Sequence, residues 1–358
     1  MADNIGKSAE SIIKAAVERG ASDIHIKAGD AFRARIDGQL QPLTKQRLTP
    51  DQTKAIALRL IPLEEDRKRI DSIRDYDCSW GAAGVGRFRV NILRQRSSFM
   101  IVMRVIPFEV PSFEKLHLPK VLERVASEEH GLILVAGPRG GGKSSTTAAI
   151  INDINQRRRV HIVTLESPIE FLFRDLNSSI TQREVGSDTE SFVAGLGAAL
   201  RQDPDVISIG DLRDAATADA ALAAAEVGHL VISTLHATNA ATTVSRAVAL
   251  FSPDEQEPAR LRLAETLRAV VAQRLIPRAD GQGRCAVVEV MISTPEIRRH
   301  IRERRGPELR EAVARGRELY GMQTFEQHLE DMVESGVVSP DVAQGMRGEM
   351  GGGNGGHG

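Results

Sequence analysis

Aromatic side chains are scarce in this chain, at 4% of 358 residues with a single tryptophan, and net charge is nearly absent, since 47 basic and 48 acidic residues leave −1. Without an excess of positive charge, no global field draws the protein to nucleic acid or anionic lipid. The basic stretch "GRFRVNILRQR", 86–96, carries Arg87, Arg89, Arg94 and Arg96, with Arg104 further on. Only Phe88 and Phe99 accompany these arginines, too few rings for a base-stacking groove, so no nucleic-acid partner is expected. The two cysteines, Cys78 and Cys285, form no CxxC pair, which argues against a zinc knuckle or a disulfide framework and fits a reducing cytoplasm. No apolar run approaches the roughly 20 residues of a membrane-spanning helix. Residues 1–30 are interspersed with charges, unlike a signal peptide. Any membrane association is expected through a partner, not by direct insertion.

What is present suggests two folded parts. "SAESIIKAAVER" has the period of an amphipathic helix, with Ser8 or Ser11 as its cap and Gly20 as its stop. "SDIHIKAG" and "AFRARIDGQLQPL" alternate as strands do, with a hairpin turn at Asp37-Gly38. "TPDQTKAIALRLI" opens a helix at Thr49-Pro50. "YDCSWG", "GRFRVNILRQRSS" and "FMIVMRVIP" complete an antiparallel sheet, in which Arg87 and Arg89 share a face, as do Arg94 and Arg96. The expected fold is α/β: an α+β domain over 1–106, a proline-bearing linker over 107–119, and a second domain over 120–294. There "GLILVAG", "VHIVTLE", "DVISIG" and "HLVISTLH" are continuous apolar runs between helical stretches, the pattern of a parallel sheet buried on both faces. Short helices fill 295–347, and the glycine-rich tail, 348–358, reads as disordered.

The strongest chemical signal is "GPRGGGKSS", 137–145, which fits G-x-x-x-x-G-K-[ST] between a strand and a helix. Gly137, Gly140, Gly141 and Gly142 let backbone N–H groups close around phosphates without Cβ clashes. Lys143 reaches the outer phosphates, Ser144 serves Mg²⁺, and Ser145 joins them as a nucleotide-binding residue. Arg139 either touches a phosphate or points to solvent. Downstream, strand ends deliver Glu166, in "TLESPIEF", and Asp211, in "ISIGDLRD". His229 and His236 bracket another strand, and neither spacing suggests a metal site of its own.

In this order the motifs resemble those of the PilT-type ATPases of type IV pili, in the secretion ATPase superfamily. "ASDIHIKAG", "GRFRVN", "QREVGSDTESF", "HLVISTLHATNAATTVSRAV" and "YGMQTFEQHL" extend the likeness over about residues 5–345. The resemblance implies a PAS-like N-terminal domain, a RecA-like ATPase domain, and a homo-hexamer at the cytoplasmic face of the inner membrane. ATP with Mg²⁺ would drive retraction through a membrane platform protein, and a paralogous retraction or assembly ATPase is a further partner class. Glu166 falls on the family's catalytic glutamate, Asp211 on the Walker B carboxylate, which with Ser144 serves the metal, and His229 and His236 on its His box. Arg89, Arg96 and Arg104 fall on arginines of which some act on nucleotide. "PEIRRHIRE", 295–303, resembles the AIRE motif, with Glu296 in place of Ala. The four-cysteine zinc module of assembly and secretion relatives is missing, which favours retraction. Three departures surround the nucleotide: Ser167 replaces the Asp of E-D-P, Asp211 the Glu of G-E-[LM]-R-D, and Arg139 and Gly141 the usual Thr and Ser. A carboxylate one methylene shorter retreats about 1.5 Å, and about 1 Å of misplacement can cost about 100-fold in rate. Glu166 is therefore the residue expected to activate water, with Asp211 organising metal or water. The alternatives are a weakly hydrolysing accessory subunit and an ATPase of secretion or pilus assembly.

Overall fold

The computed structural model describes residues 2–36, 38–106 and 109–351. They form two compact units, one of Met1–Glu109 with Pro168–Leu172, the other of Val110–Ser167 with Phe173–Gly358.

The first unit runs α1 (Ala2–Glu18), β1 (Asp23–Lys27), β2 (Arg33–Ile36), β3 (Gln39–Pro42), α2 (Pro50–Leu60), α3 (Glu64–Lys68), β4 (Asp75–Ala82), β5 (Gly86–Gln95) and β6 (Ser98–Ile106). Its 6-stranded sheet has the order β3-β2-β1-β6-β5-β4, every neighbouring pair antiparallel. Alternation places Phe88, Val90 and Ile92 of β5, and Phe99, Ile101 and Met103 of β6, in one core with Ile13 and Ala16 of α1 and Ile56, Ala57 and Leu60 of α2. Thr49 caps α2 in a capping box with Gln52. Two local expectations need correction. Ser8 and Ser11 lie inside α1, which starts earlier than a side-chain cap at either would require. Arg94 and Arg96 do not share a strand face. β5 ends at Gln95, and Arg96 and Ser97 both turn left-handed, with φ of 48° and 62°, to make the two-residue hairpin into β6. Of the turn between β2 and β3, Asp37 lies outside the described residues; Gly38, at φ 76°, is its left-handed member.

The second unit runs α4 (Val121–Ala126), β7 (Gly131–Ala136), α5 (Lys143–Arg157), β8 (His161–Glu166), β9 (Ser179–Glu184), α6 (Phe192–Ala199), β10 (Val206–Ile209), α7 (Ala215–Glu226), β11 (Leu230–Leu235), α8 (Ala240–Ala249), α9 (Gln256–Thr266), β12 (Leu267–Pro277) and β13 (Arg284–Ile292). After these come α10 (Pro295–Arg302), α11 (Gly306–Arg315), α12 (Arg317–Tyr320), α13 (Phe325–Glu334) and α14 (Pro340–Gly351). The 7-stranded sheet has the order β13-β12-β7-β11-β10-β8-β9, parallel throughout except for β13. Every residue of β7, β10 and β11 is buried, as an apolar run packed on both faces must be. β9, "SITQRE", is too polar to announce itself as a strand, and β12 and β13 do not stand out in the sequence. The outer edge of β13 is closed by main-chain bonds between Val290 and Gln323. There Gln323 Nε2 donates to Val288 O at 2.9 Å, and Val288 N donates to His328 Nδ1 at 3.0 Å. The tail expected to be disordered begins inside α14, whose hydrogen-bonded ladder carries through to Gly351; 352–358 lie outside the described residues. No helix among the described residues is long and apolar enough to cross a membrane.

Candidate functional site

Because β7, β11, β10 and β8 are parallel, their C-terminal ends open on one edge of the sheet, where α/β folds bind ligands. The loop 137–142 leaves β7 there and feeds α5. Gly142 is the N-cap, left-handed at φ 82°, and no side chain caps the helix. By contrast, Ser191, Asp214 and Asn239 cap α6, α7 and α8. No capping side chain therefore competes with an anion for the first turn of α5, where Ser144 and Ser145 lie. The loop is held closely to β12. Gln273, 1% exposed, donates from Nε2 to Gly141 O at 2.6 Å, and a Cβ on Gly137 would meet Gln273 O at 2.6 Å. Gly137→Ala therefore forces backbone against backbone. The strain, about 1–3 kcal/mol for an overpacked methyl, is expected to weaken ADP binding roughly tenfold to a hundredfold. Titration with a fluorescent ADP measures this, and unchanged affinity would show that the loop moves freely off β12.

Lys143 Nζ donates to Gly137 O and Pro138 O, each at 3.0 Å, and lies 3.2 Å from His236 Nδ1. His236 follows β11, and its Nε2 is 3.9 Å from Asp211 Oδ2. Asp211, beyond β10, accepts from Arg213 Nε at 3.0 Å. Thr234 Oγ1 donates to Gly210 O at 2.7 Å and stands 3.3 Å from Asp211 Oδ1. Lys143, His236 and Asp211 therefore form one contiguous row. Beside it an open chamber of about 600 Å³ is lined by Arg139, Asp211, Arg213, His236, Arg246 and Leu250. Its cations outnumber its carboxylate, so it suits an anion. Arg139, left open by the sequence, faces this chamber from the loop itself.

Glu166 ends β8, on the far side of β11 and β10 from β7, on the order of 14 Å across at a strand spacing of about 4.8 Å. Its Oε1 accepts from Thr164 Oγ1 at 2.7 Å and Gln182 Nε2 at 3.0 Å. The adjoining strand end is that of Asp211, since Gly210 N donates to Leu165 O at 2.8 Å. His229 is not brought to the loop. It precedes β11, at the opposite end of the sheet and on the order of 20 Å from His236 at about 3.3 Å per residue. There its Nδ1 meets Ala224 O at 3.1 Å. The strand that the two histidines bracket is what separates them, so within one chain His229 takes no part in this site. In the first unit, Arg89 and Arg104 are cross-strand partners, and Arg104 Nε donates to Asp23 Oδ1 at 3.0 Å. Burial pushes the Asp23 carboxyl up, but bonds from Ser22 and Arg104 outweigh it and hold the group below its ordinary range. Arg89 and Arg96 are exposed. Gln273 and Thr234 are site residues that motif reading missed. Neither has a signature in sequence beyond a polar letter inside an apolar run.

Known proteins resemble this chain along most of its length. The family profile described as "Type II/IV secretion system protein" matches residues 2–350. The chain is 40% identical over 327 residues to the Type IV pilus retractation ATPase PilT of Pseudomonas aeruginosa, covering 91% of this chain and 94% of that one. It is 39% identical over 336 residues to the Type IV pilus ATPase PilU of the same organism, covering 93% and 87%. Among solved structures, that of the pilus retraction motor PilT with bound ADP superposes with a TM-score of 0.83 at 42% identity, covering 94% of this chain and 96% of that one. The Legionella pneumophila ATPase DotB gives 0.82 at 27%, covering 96% of each. The second unit is thus a RecA-like nucleotide-binding domain, and the chain belongs to the Type II/IV secretion system ATPase family.

Proposed function

We propose that this chain is the ATP-hydrolysing motor of type IV pilus retraction, with Glu166 as the base that activates water. The observation that carries this reading is the row of Lys143, His236 and Asp211 at the phosphate loop, with Glu166 at the adjoining strand end. ATP places its phosphates on the loop N–H groups, and Lys143 trades its two carbonyl partners for phosphate oxygens. Ser144 and Asp211 would hold Mg²⁺, offering one hydroxyl and one carboxylate, a sparse hard-oxygen set suited to that ion. No cluster of three or more His, Cys, Asp or Glu residues among the described residues offers a protein cage instead. The ion would neutralise phosphate charge when bound. His236 responds to the outer phosphate through Lys143, and Arg139, Arg213 and Arg246 add positive charge around the chamber. The roles of Arg89, Arg96 and Arg104 toward nucleotide rest on the family resemblance, as do the PAS-like domain at 1–106, the homo-hexamer, the platform partner and the place at the cytoplasmic face of the inner membrane.

A second reading, an accessory subunit that binds nucleotide and hydrolyses it slowly, is favoured by the short side chain of Asp211 with Ser167 beside Glu166. Steady-state hydrolysis by the purified chain beside Asp211→Glu separates the two. The motor reading expects substantial wild-type turnover, raised by at most about tenfold when the longer carboxylate restores reach. A nearly silent wild type that Asp211→Glu awakens would establish the accessory role.

A further inference from the structure

One buried carboxyl has no part in the chemistry assigned so far. Glu289 of β13 is 4% exposed. It sits in a cavity of about 170 Å³ lined also by Asn239, Ala240, Met291, Pro307 and Arg310. Its Oε1 accepts the N–H of Ala240 at 2.7 Å. Ala240 is the first residue of α8, whose N-cap Asn239 is already occupied with the N–H of Thr242. Glu289 therefore satisfies a helix-end donor that the cap leaves open. The segment from His236 to Ala240 is tied at both ends. Arg246 Nη1 of α8 donates to His236 O at 2.5 Å, and Glu289 takes Ala240. Between them, Arg274 Nη2 reaches Thr238 O at 3.5 Å. The His236 ring at the start of this segment is the one that meets Lys143.

We propose that Glu289 is a positioning residue for ATP turnover. Its carboxylate pins the first turn of α8 to β13 and so holds His236 beside Lys143, while Arg310 of α11, in the same cavity, links that hold to the C-terminal helices. The proposal rests on the ATPase reading above. Burial pushes the Glu289 carboxyl up to about 7, against the pull of the Ala240 N–H. The charged groups facing it from the packed elements are Glu326 of α13, which raises it further, and Arg310 of α11 and Arg274 of β12, which lower it. Arg310 is itself bonded to Glu326. Above about pH 7 the group is ionised, and a carboxylate accepts an N–H roughly twice as strongly as a neutral acceptor. Below it the pin slackens.

The test uses the full chain as wild type, Glu289→Gln and Glu289→Ala, across pH 5.5–8.5. Gln keeps the shape and a carbonyl acceptor but not the charge. Wild-type kcat is expected to fall about tenfold on acidification through pH 7, with KM for ATP within about twofold. Glu289→Gln should show no such inflection and stay at the lower level throughout, and Glu289→Ala should fall below both. Amide hydrogen exchange over 237–243 in the nucleotide-free chain provides a readout independent of turnover. Glu289→Gln should exchange faster than wild type at pH 8 and equally at pH 5.5, after correction for intrinsic rate. A Gln variant that keeps the inflection, or matches wild-type exchange at both pH values, overturns the pin. A wild type with the exchange difference but no turnover overturns the ATPase reading and leaves the pin standing.

Discussion

Glu166→Gln is expected to lower ATP turnover by about a thousandfold or more while ADP affinity stays within about twofold. The substitution is close to isosteric. Thr164 Oγ1 and Gln182 Nε2, which donate to Glu166 Oε1, can still donate, more weakly, to the amide oxygen, so β8 and β9 should pair as before. What the amide loses is the capacity to take a proton, and general-base contributions run to about 10²–10⁴-fold. The phosphate loop lies across β11 and β10 from β8, so nucleotide binding should not sense the change. Steady-state phosphate release and ADP titration on the same preparation decide it. Hydrolysis at the wild-type rate would remove Glu166 as the base and move that role to Asp211, the next carboxylate along the strand ends.

The second large effect concerns stability in mild acid. His328 accepts the Val288 N–H through Nδ1, and burial pushes its imidazole down to about 4, against an ordinary value near 6.5. Between those values the unfolded chain takes up a proton that the folded chain refuses. Stability is therefore present in full above about pH 6.5 and drains away as pH falls toward 4. The loss comes to about 3 kcal/mol, because each tenfold difference in proton affinity between the two states is worth roughly 1.4 kcal/mol. Glu289 works in the opposite sense. Ionised, it holds the Ala240 N–H more firmly, but burying the charge costs more, so for the fold as a whole its contribution is complete below about pH 4.5 and is lost as pH rises through 7. Over the shared window the two slopes oppose, and the wild-type curve should conceal both. In Glu289→Gln the loss due to His328 should emerge as a drop in Tm of about 5–10 °C between pH 6.5 and 4. The double variant Glu289→Gln/His328→Gln should lack it, because the amide still accepts the Val288 N–H. Equal acid sensitivity in the single and double variants would mean that His328 is not the source.

The phosphate loop was legible because its chemistry is written in backbone freedom. Gly140 and Gly142 are needed left-handed, and Gly137 has no room for a side chain, so the spacing alone identifies the loop. β7, β8, β10 and β11 were legible as apolar runs, and with them the common edge at which Glu166, Asp211 and His236 emerge. β9 was not, because an outer strand paired on one side can afford Thr181, Gln182 and Arg183. His229 shows the limit of motif reading: its letters flank the same strand as His236, but the length of that strand carries it away from the loop. Gln273, Glu289 and His328 could not be found at all from sequence. A polar letter in or near an apolar run says nothing about whether a loop, a helix end or a strand edge will come to meet it.

The closed edge of β13 also governs how copies of this chain can meet. An unpaired strand edge invites a stranger's backbone, and a sheet that can be extended by one copy can be extended without limit. Here Gln323 and His328 occupy the positions on β13 that an incoming strand would need. In the other sheet β3 is short and ends at Pro42, and β4 presents exposed Asp75 and Asp77 at its own margin. At β13, β3 and β4, therefore, a second copy finds little open backbone to extend, and contact there falls to side chains.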